Sequence, residues 1–127
     1  FLRMAFDKNE MIKRQRKYVL DILAMLDELP NGRAFDTIAR QLTRCSTSVG
    51  ANYRAACRAK STADFINKLK IVEEEADESL YFMDLLTELK GVDVQELKRI
   101  MKEGDEILAI VVASIRTSKR NQKSSRN

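Results

Sequence analysis

Between Arg33 and Lys60 the apolar residues return at alternating steps of three and four. Phe35, Ile38, Leu42, Cys45, Val49, Asn52 and Ala56 fall on one line of a helix. At about 100° per residue, Arg33, Arg40, Arg44, Arg54 and Arg58 gather on the opposite side. A strand cannot sort this sequence into two faces, and a single short helix cannot bury its seam alone. The stretch therefore demands a helical core and leaves an arginine stripe to face something else.

The rest of the chain repeats the pattern. A first helix reads from about Asp7 to Leu29, with Ile12, Val19, Ile22, Leu23, Leu26 and Leu29 on its apolar side. Pro30-Asn31-Gly32 ends it, because Pro cannot continue the hydrogen-bond ladder and Asn-Gly favours a turn. The second helix runs to about Arg58, with small residues at Ser46, Gly50 and Ala51 that permit a close helix approach. Asn52, on the seam, requires a hydrogen-bond partner.

Ser61 caps a third helix, with Asp64 three residues on, and this helix runs to Lys90. Phe65, Leu69, Val72, Ala76, Leu80 and Met83 make its core face. Ile71, Phe82, Leu85 and Leu89 make a second apolar face more than about 90° away, which calls for another surface. Asp93 and Glu96 open the fourth helix, whose seam is Val94, Leu97, Met101, Leu108, Val111 and Ile115, with Gly104 marking a close crossing. From Thr117 the chain is polar and basic, and residues 119–127 read as a disordered tail carrying Lys119, Arg120 and Lys123. Phe1 to Phe6 reads as a flexible lead or a docking end. The expectation is all-α: an antiparallel up-down-up-down four-helix bundle over residues 1–118.

Composition narrows function. The chain has 127 residues, a net charge of +4 and no His. Without His, the commonest general base and metal ligand is missing, and Ser46 and Ser48 beside Cys45 have no base to activate them. The acidic run Glu73, Glu74, Glu75, Asp77 and Glu78 lacks the Glu-x-x-His pairs of carboxylate-bridged metal bundles, so it reads as a salt-bridging surface. Cys45 and Cys57 would stand about 18 Å apart on one helix, too far for a disulfide, as expected of a reduced cytoplasmic protein. No apolar run reaches membrane-spanning length. Catalysis, cofactor and metal are all expected to be absent. Tyr18, Tyr53 and Tyr81 read as residues packed at helix edges.

The run Gln41-Leu42-Thr43-Arg44-Cys45-Ser46-Thr47-Ser48-Val49-Gly50-Ala51-Asn52-Tyr53 resembles a family signature. So do Ala56-Cys57-Arg58-Ala59-Lys60-Ser61, Asp64-Phe65-Ile66 with Lys68-Leu69, and Glu74-Glu75-Ala76-Asp77-Glu78-Ser79 with Tyr81 and Leu85-Leu86. The family is that of the bacterial four-helix-bundle proteins encoded in intervening sequences of 23S ribosomal RNA genes. The accessory variability protein of diversity-generating retroelements is similar to these. Many members open with a Trp-bearing first helix, and this chain has no Trp. The resemblance implies a ring-shaped homopentamer and a nucleic-acid-binding or accessory role.

Residues and family resemblance together give two expectations. In the first, a homo-oligomer binds RNA or DNA through Arg40, Arg44, Arg54, Arg58, Lys119, Arg120 and Lys123, with Ile71, Glu75, Glu78, Phe82, Leu85 and Leu89 between subunits. In the second, the chain is a scaffold or adaptor for a protein partner, and the arginines form that partner's surface.

Overall fold

The computed structural model describes residues 7–126, with side chains to residue 125. Four helices follow in order: α1 (Lys8–Asp27), α2 (Arg33–Cys57), α3 (Thr62–Thr87) and α4 (Val94–Arg126). Each packs against its two neighbours around a ring, α1 on α2, α2 on α3, α3 on α4, and α4 on α1. This is the antiparallel four-helix bundle that the apolar periods require. The lead at Phe1–Phe6 lies outside the described residues.

The helix boundaries have local causes. The Asp7 side chain accepts from the Asn9 amide at 2.9 Å and caps α1. Gly32 begins α2 with φ of 152°. Ser61 accepts from the Asp64 amide at 3.1 Å, while Asp64 reaches back to the Lys60 amide at 3.3 Å, a capping box displaced by one residue. Asp93 accepts from the Glu96 amide at 3.1 Å to open α4. Gly91, with φ of 88°, turns the chain between α3 and α4.

The bundle core is continuous from end to end. Ile22, Leu42, Val49, Leu69, Val72, Met83, Leu86, Leu97, Ile107 and Val111 are fully enclosed. The core line of α1 differs from the expected one. It runs through Met11, Gln15, Tyr18, Ile22 and Met25, while Ile12, Val19 and Leu26 flank it. Helix α1 is rotated because Tyr18 is the larger body to bury and fits the space that Gly104 leaves open. On α2 the seam continues through Tyr53 rather than Asn52. Asn52 satisfies itself locally, donating to Ser48 O at 3.0 Å and Ser48 Oγ at 2.9 Å. Tyr18 and Tyr53 are therefore core residues, each 1% exposed, and of the three tyrosines only Tyr81 stands out in solvent.

Residues 119–126, expected to be disordered, are the end of α4. Nothing there stops a helix: no Gly or Pro follows Gly104, and Lys, Arg and Gln are good helix formers. The cations also sit at the negative end of the helix dipole, where they are favourable. With 33 residues against 26 in α3, α4 runs past the first turn of its neighbour.

Candidate nucleic-acid interface

Some of the arginines are held by carboxylates and others are not. Arg14 donates from Nε to Glu103 at 2.8 Å and from Nη2 to Glu103 at 2.6 Å, with Glu106 at 3.1 Å. Arg99 grips Glu96 at 2.6 Å and Asp21 at 3.3 Å. Arg44, on α2, reaches across to α3, where it pairs with Glu75 at 3.2 Å and with Glu78. Each of these three bridges two acids, and two of the three tie α1 to α4.

Hydrogen bonds from Arg14 hold the Glu103 carboxyl below its ordinary range, against an opposing effect of partial burial. Burial raises the Asp21 carboxyl, but hydrogen bonds from Lys17 and Arg99 outweigh it and leave the group lowered.

By contrast, Arg40, Arg54 and Arg58 are exposed and form no ion pair among the described residues. Arg16 on α1 and Arg33 at the start of α2 are likewise exposed and unpaired among those residues. The expected stripe thus splits. Arg44 is committed to α3, and Arg40, Arg54 and Arg58 keep their donors free. The cause is rotational phase: Arg44 leans to the α3 side of α2, where Glu75 and Glu78 stand.

The antiparallel topology sorts the remaining charge by position. The turn between α2 and α3 lies at the same end as the close of α4. Arg54, Arg58 and Lys60 therefore share an end with Arg116, Lys119, Arg120 and Lys123, where these cations outnumber Asp7, Glu10 and Asp64. At the opposite end, Asp27, Glu28, Asp36, Asp84, Glu88 and Asp93 outnumber Arg33 and Lys90. One end is basic and the other acidic.

The proposed second face of α3 is only partly free. Phe82, Leu85 and Leu89 are half-buried and packed against the core, because α3 touches neighbours on two sides. Ile71, 40% exposed, is its open residue, while Tyr81, 58% exposed, stands to one side of the face and meets Phe82 edge-on with ring centroids 5.5 Å apart. Glu75 and Glu78 flank this stripe but already hold Arg44. Glu73, Glu74 and Asp77 line a shallow groove with Leu108 and Val112. No cluster of acidic or Cys side chains able to hold a metal occurs among the described residues. No described helix is long and apolar enough to cross a membrane.

Sequence reasoning missed a groove between α1 and α2. It is roughly 590 Å³, floored by Ile12, Val19, Leu20, Gly50 and Ala51, and edged by Arg16, Arg54 and Arg58. The signal was available in Thr47, Gly50 and Ala51, three small residues that leave the outer side of α2 low.

Fold and surface together define an antiparallel helical bundle with a free arginine face. The chain belongs to the 23S rRNA-intervening sequence protein family, whose model matches residues 7–113. It is similar to a crystallised protein of unknown function from the S23 ribosomal protein family of Bacteroides thetaiotaomicron VPI-5482. The two are 31% identical with a TM-score of 0.78, and the match covers 87% of this chain and 98% of that one. No curated protein matches.

Proposed function

We propose that this chain is a non-enzymatic, homo-oligomeric cytoplasmic bundle that binds RNA or DNA through phosphate contacts. The observation that carries this reading is the freedom of Arg54 and Arg58 beside a basic helix end, and of Arg40 farther along the same side of α2, in a protein whose Arg14, Arg44 and Arg99 are each held by two carboxylates. A planar guanidinium with no internal acid offers a phosphate two parallel hydrogen bonds. Lys119, Arg120 and Lys123 on the helical end of α4 extend the contact. Arg44 takes a structural part, bracing α2 against α3.

The oligomer is a homopentameric ring, in keeping with the family resemblance. Its contact is the α3 stripe of Ile71, Glu75, Glu78, Phe82, Leu85 and Leu89, of which Ile71 is the most exposed apolar residue, with Tyr81 at its edge. Because Phe82 and Leu85 also pack on the core, Ile71→Asp is the cleaner interface probe. It should lower the mass measured by light scattering without loss of helicity, and an unchanged mass would exclude this contact.

Fluorescence anisotropy with a structured RNA and a matched DNA duplex, across a salt series, tests the binding. Affinity should fall log-linearly with salt, and Arg40→Ala with Arg58→Ala should flatten the slope by about 1 per lost phosphate contact. Arg44→Ala should leave the slope unchanged. No binding at low salt, or a slope indifferent to Arg40 and Arg58, would overturn the reading.

A further inference from the structure

The groove between α1 and α2 is built for something other than phosphate alone. Its floor is aliphatic, formed by Ile12, Val19, Leu20 and Ala51, and Leu20 keeps 48% of its surface in water. Its edges carry Arg16 from α1 and Arg54 and Arg58 from α2, and no acid lines it. These three cations have no ion-pair partner among the described residues, so the groove presents an apolar strip flanked by positive charge on both helices.

Its dimensions follow from the helices that form it. From Thr47 to Arg58 the wall on α2 extends about 16 Å at 1.5 Å per residue, three helical turns. Low residues keep it open. A Cβ placed on Gly50 would meet only Val19, at an ordinary 3.8 Å, so α1 and α2 do not close over this position. An occupant helix could therefore lie along the groove at close range.

We infer that this groove docks an acidic amphipathic helix of a partner protein, laid along α1 and α2 as a fifth helix. Leucine-type side chains at every third and fourth position would cover Leu20, Val19 and Ala51. Carboxylates flanking that stripe would meet Arg16, Arg54 and Arg58. Such a helix matches both chemistries of the groove at once, as helix-in-groove recognition requires. A nucleic acid would satisfy the arginines but would leave the aliphatic floor without a complementary partner, since no described aromatic lines the groove for a base to stack on. The inference stands apart from the proposed function but shares Arg54 and Arg58 with it, so a docked helix would compete with phosphate at those two residues, while Arg40, Lys119, Arg120 and Lys123 lie outside the groove.

The probe is a fluorescent helical peptide of about 18 residues, with Leu on one face and Glu flanking it. Its control carries Lys in place of Glu. The intact chain should bind the acidic peptide and reject the basic one. Ala51→Trp, which fills the groove from an exposed position, and Leu20→Glu should each weaken binding at least tenfold. Neither side chain is buried, so neither change should alter the circular dichroism or melting temperature.

Arg54→Ala with Arg58→Ala should weaken binding and flatten its salt dependence. Cys57, which lines the same groove, supplies a second readout: the bound peptide should protect it from thiol labelling. Equal binding of the two peptides, or binding indifferent to Ala51→Trp and Leu20→Glu, would overturn the inference. So would loss of RNA affinity in Ala51→Trp with the acidic peptide unbound, which would make the groove a nucleotide site. A change of oligomeric mass in Ala51→Trp would overturn it too, assigning the groove to a second copy of the chain.

Discussion

The hydroxyl of Tyr18 occupies the space a side chain at Gly104 would need: a Cβ on Gly104 would lie 2.7 Å from that oxygen and 3.0 Å from Leu80 Cδ2. Residue 104 is thus glycine for reasons of volume, in the middle of a helix where glycine is otherwise unfavourable by about 1 kcal/mol. Gly104→Ala should destabilise the bundle by roughly 1–3 kcal/mol despite its better helix propensity. Denaturant unfolding checks this. The Tyr18 hydroxyl has no hydrogen-bond partner among the described residues, so Tyr18→Phe should cost little and should relieve part of the Gly104→Ala penalty. Additive losses in the double variant would count against the contact.

Pro30 and Gly91 join the two turns at one end of the bundle. A Cβ on Gly91 would stand 2.8 Å from Pro30 Cγ, and its φ of 88° is a conformation L side chains rarely adopt. Gly91→Ala should therefore destabilise by about 1–2 kcal/mol through strain and crowding together. Adding Pro30→Ala should recover only the crowding part, which the thermal midpoints of the two variants would separate.

The Arg14–Glu103 pair makes the hold of α4 on α1 sensitive to acid. Glu103 has its carboxyl lowered by Arg14, so the pair's contribution is fully present above the unfolded carboxylate pKa of about 4.3. It is lost as pH falls through the lower folded value. Arg14→Ala should remove about 1 kcal/mol near neutrality, since the two side chains keep 36% and 30% of their surface in water. It should also flatten the stability profile below about pH 4.3. An acid limb as steep as the parent's would exclude the pair as its source.

The two thiols should report separately on the fold. Cys45 is fully buried, donates to Leu42 O at 3.6 Å and accepts from Ser79 Oγ at 3.2 Å. Cys57 is half-buried in the groove. Burial pushes both thiols up, leaving little thiolate near neutral pH. Disulfide-exchange labelling in native buffer should reach Cys57 slowly and Cys45 only with global unfolding. Equal labelling rates would mean that the core opens locally at Cys45.

The helices were legible in the sequence because each carries its own period and its own cap: Ser61 and Asp93 cap as their spacing predicts, and Pro30-Asn31-Gly32 breaks the chain as expected. Rotation about the helix axis was less legible. Apolar spacing places Ile12 and Val19 inward, yet Gln15 and Tyr18 took the core line, because the fit of Tyr18 to Gly104 on another helix decides the phase. The same limitation applies to the arginine stripe. That Arg44 would meet Glu75 and Glu78 while Arg40 stayed free depends on how α3 lies against α2, and neither helix's own sequence contains that information. The end of α4 is less legible because polarity resembles disorder, although a helix needs only the absence of breakers and a neighbour to start from.

The separation of acidic and basic residues to opposite ends acts before any contact forms. The bundle carries an electric moment along its long axis, with the positive pole at the protruding end of α4. In the field of a polyanion this moment exerts a torque, so the free chain would turn to approach with Lys119, Arg120 and Lys123 leading. Encounters would be biased toward an end-on orientation that places Arg54 and Arg58 next in line, and salt would erase the bias by screening the pole.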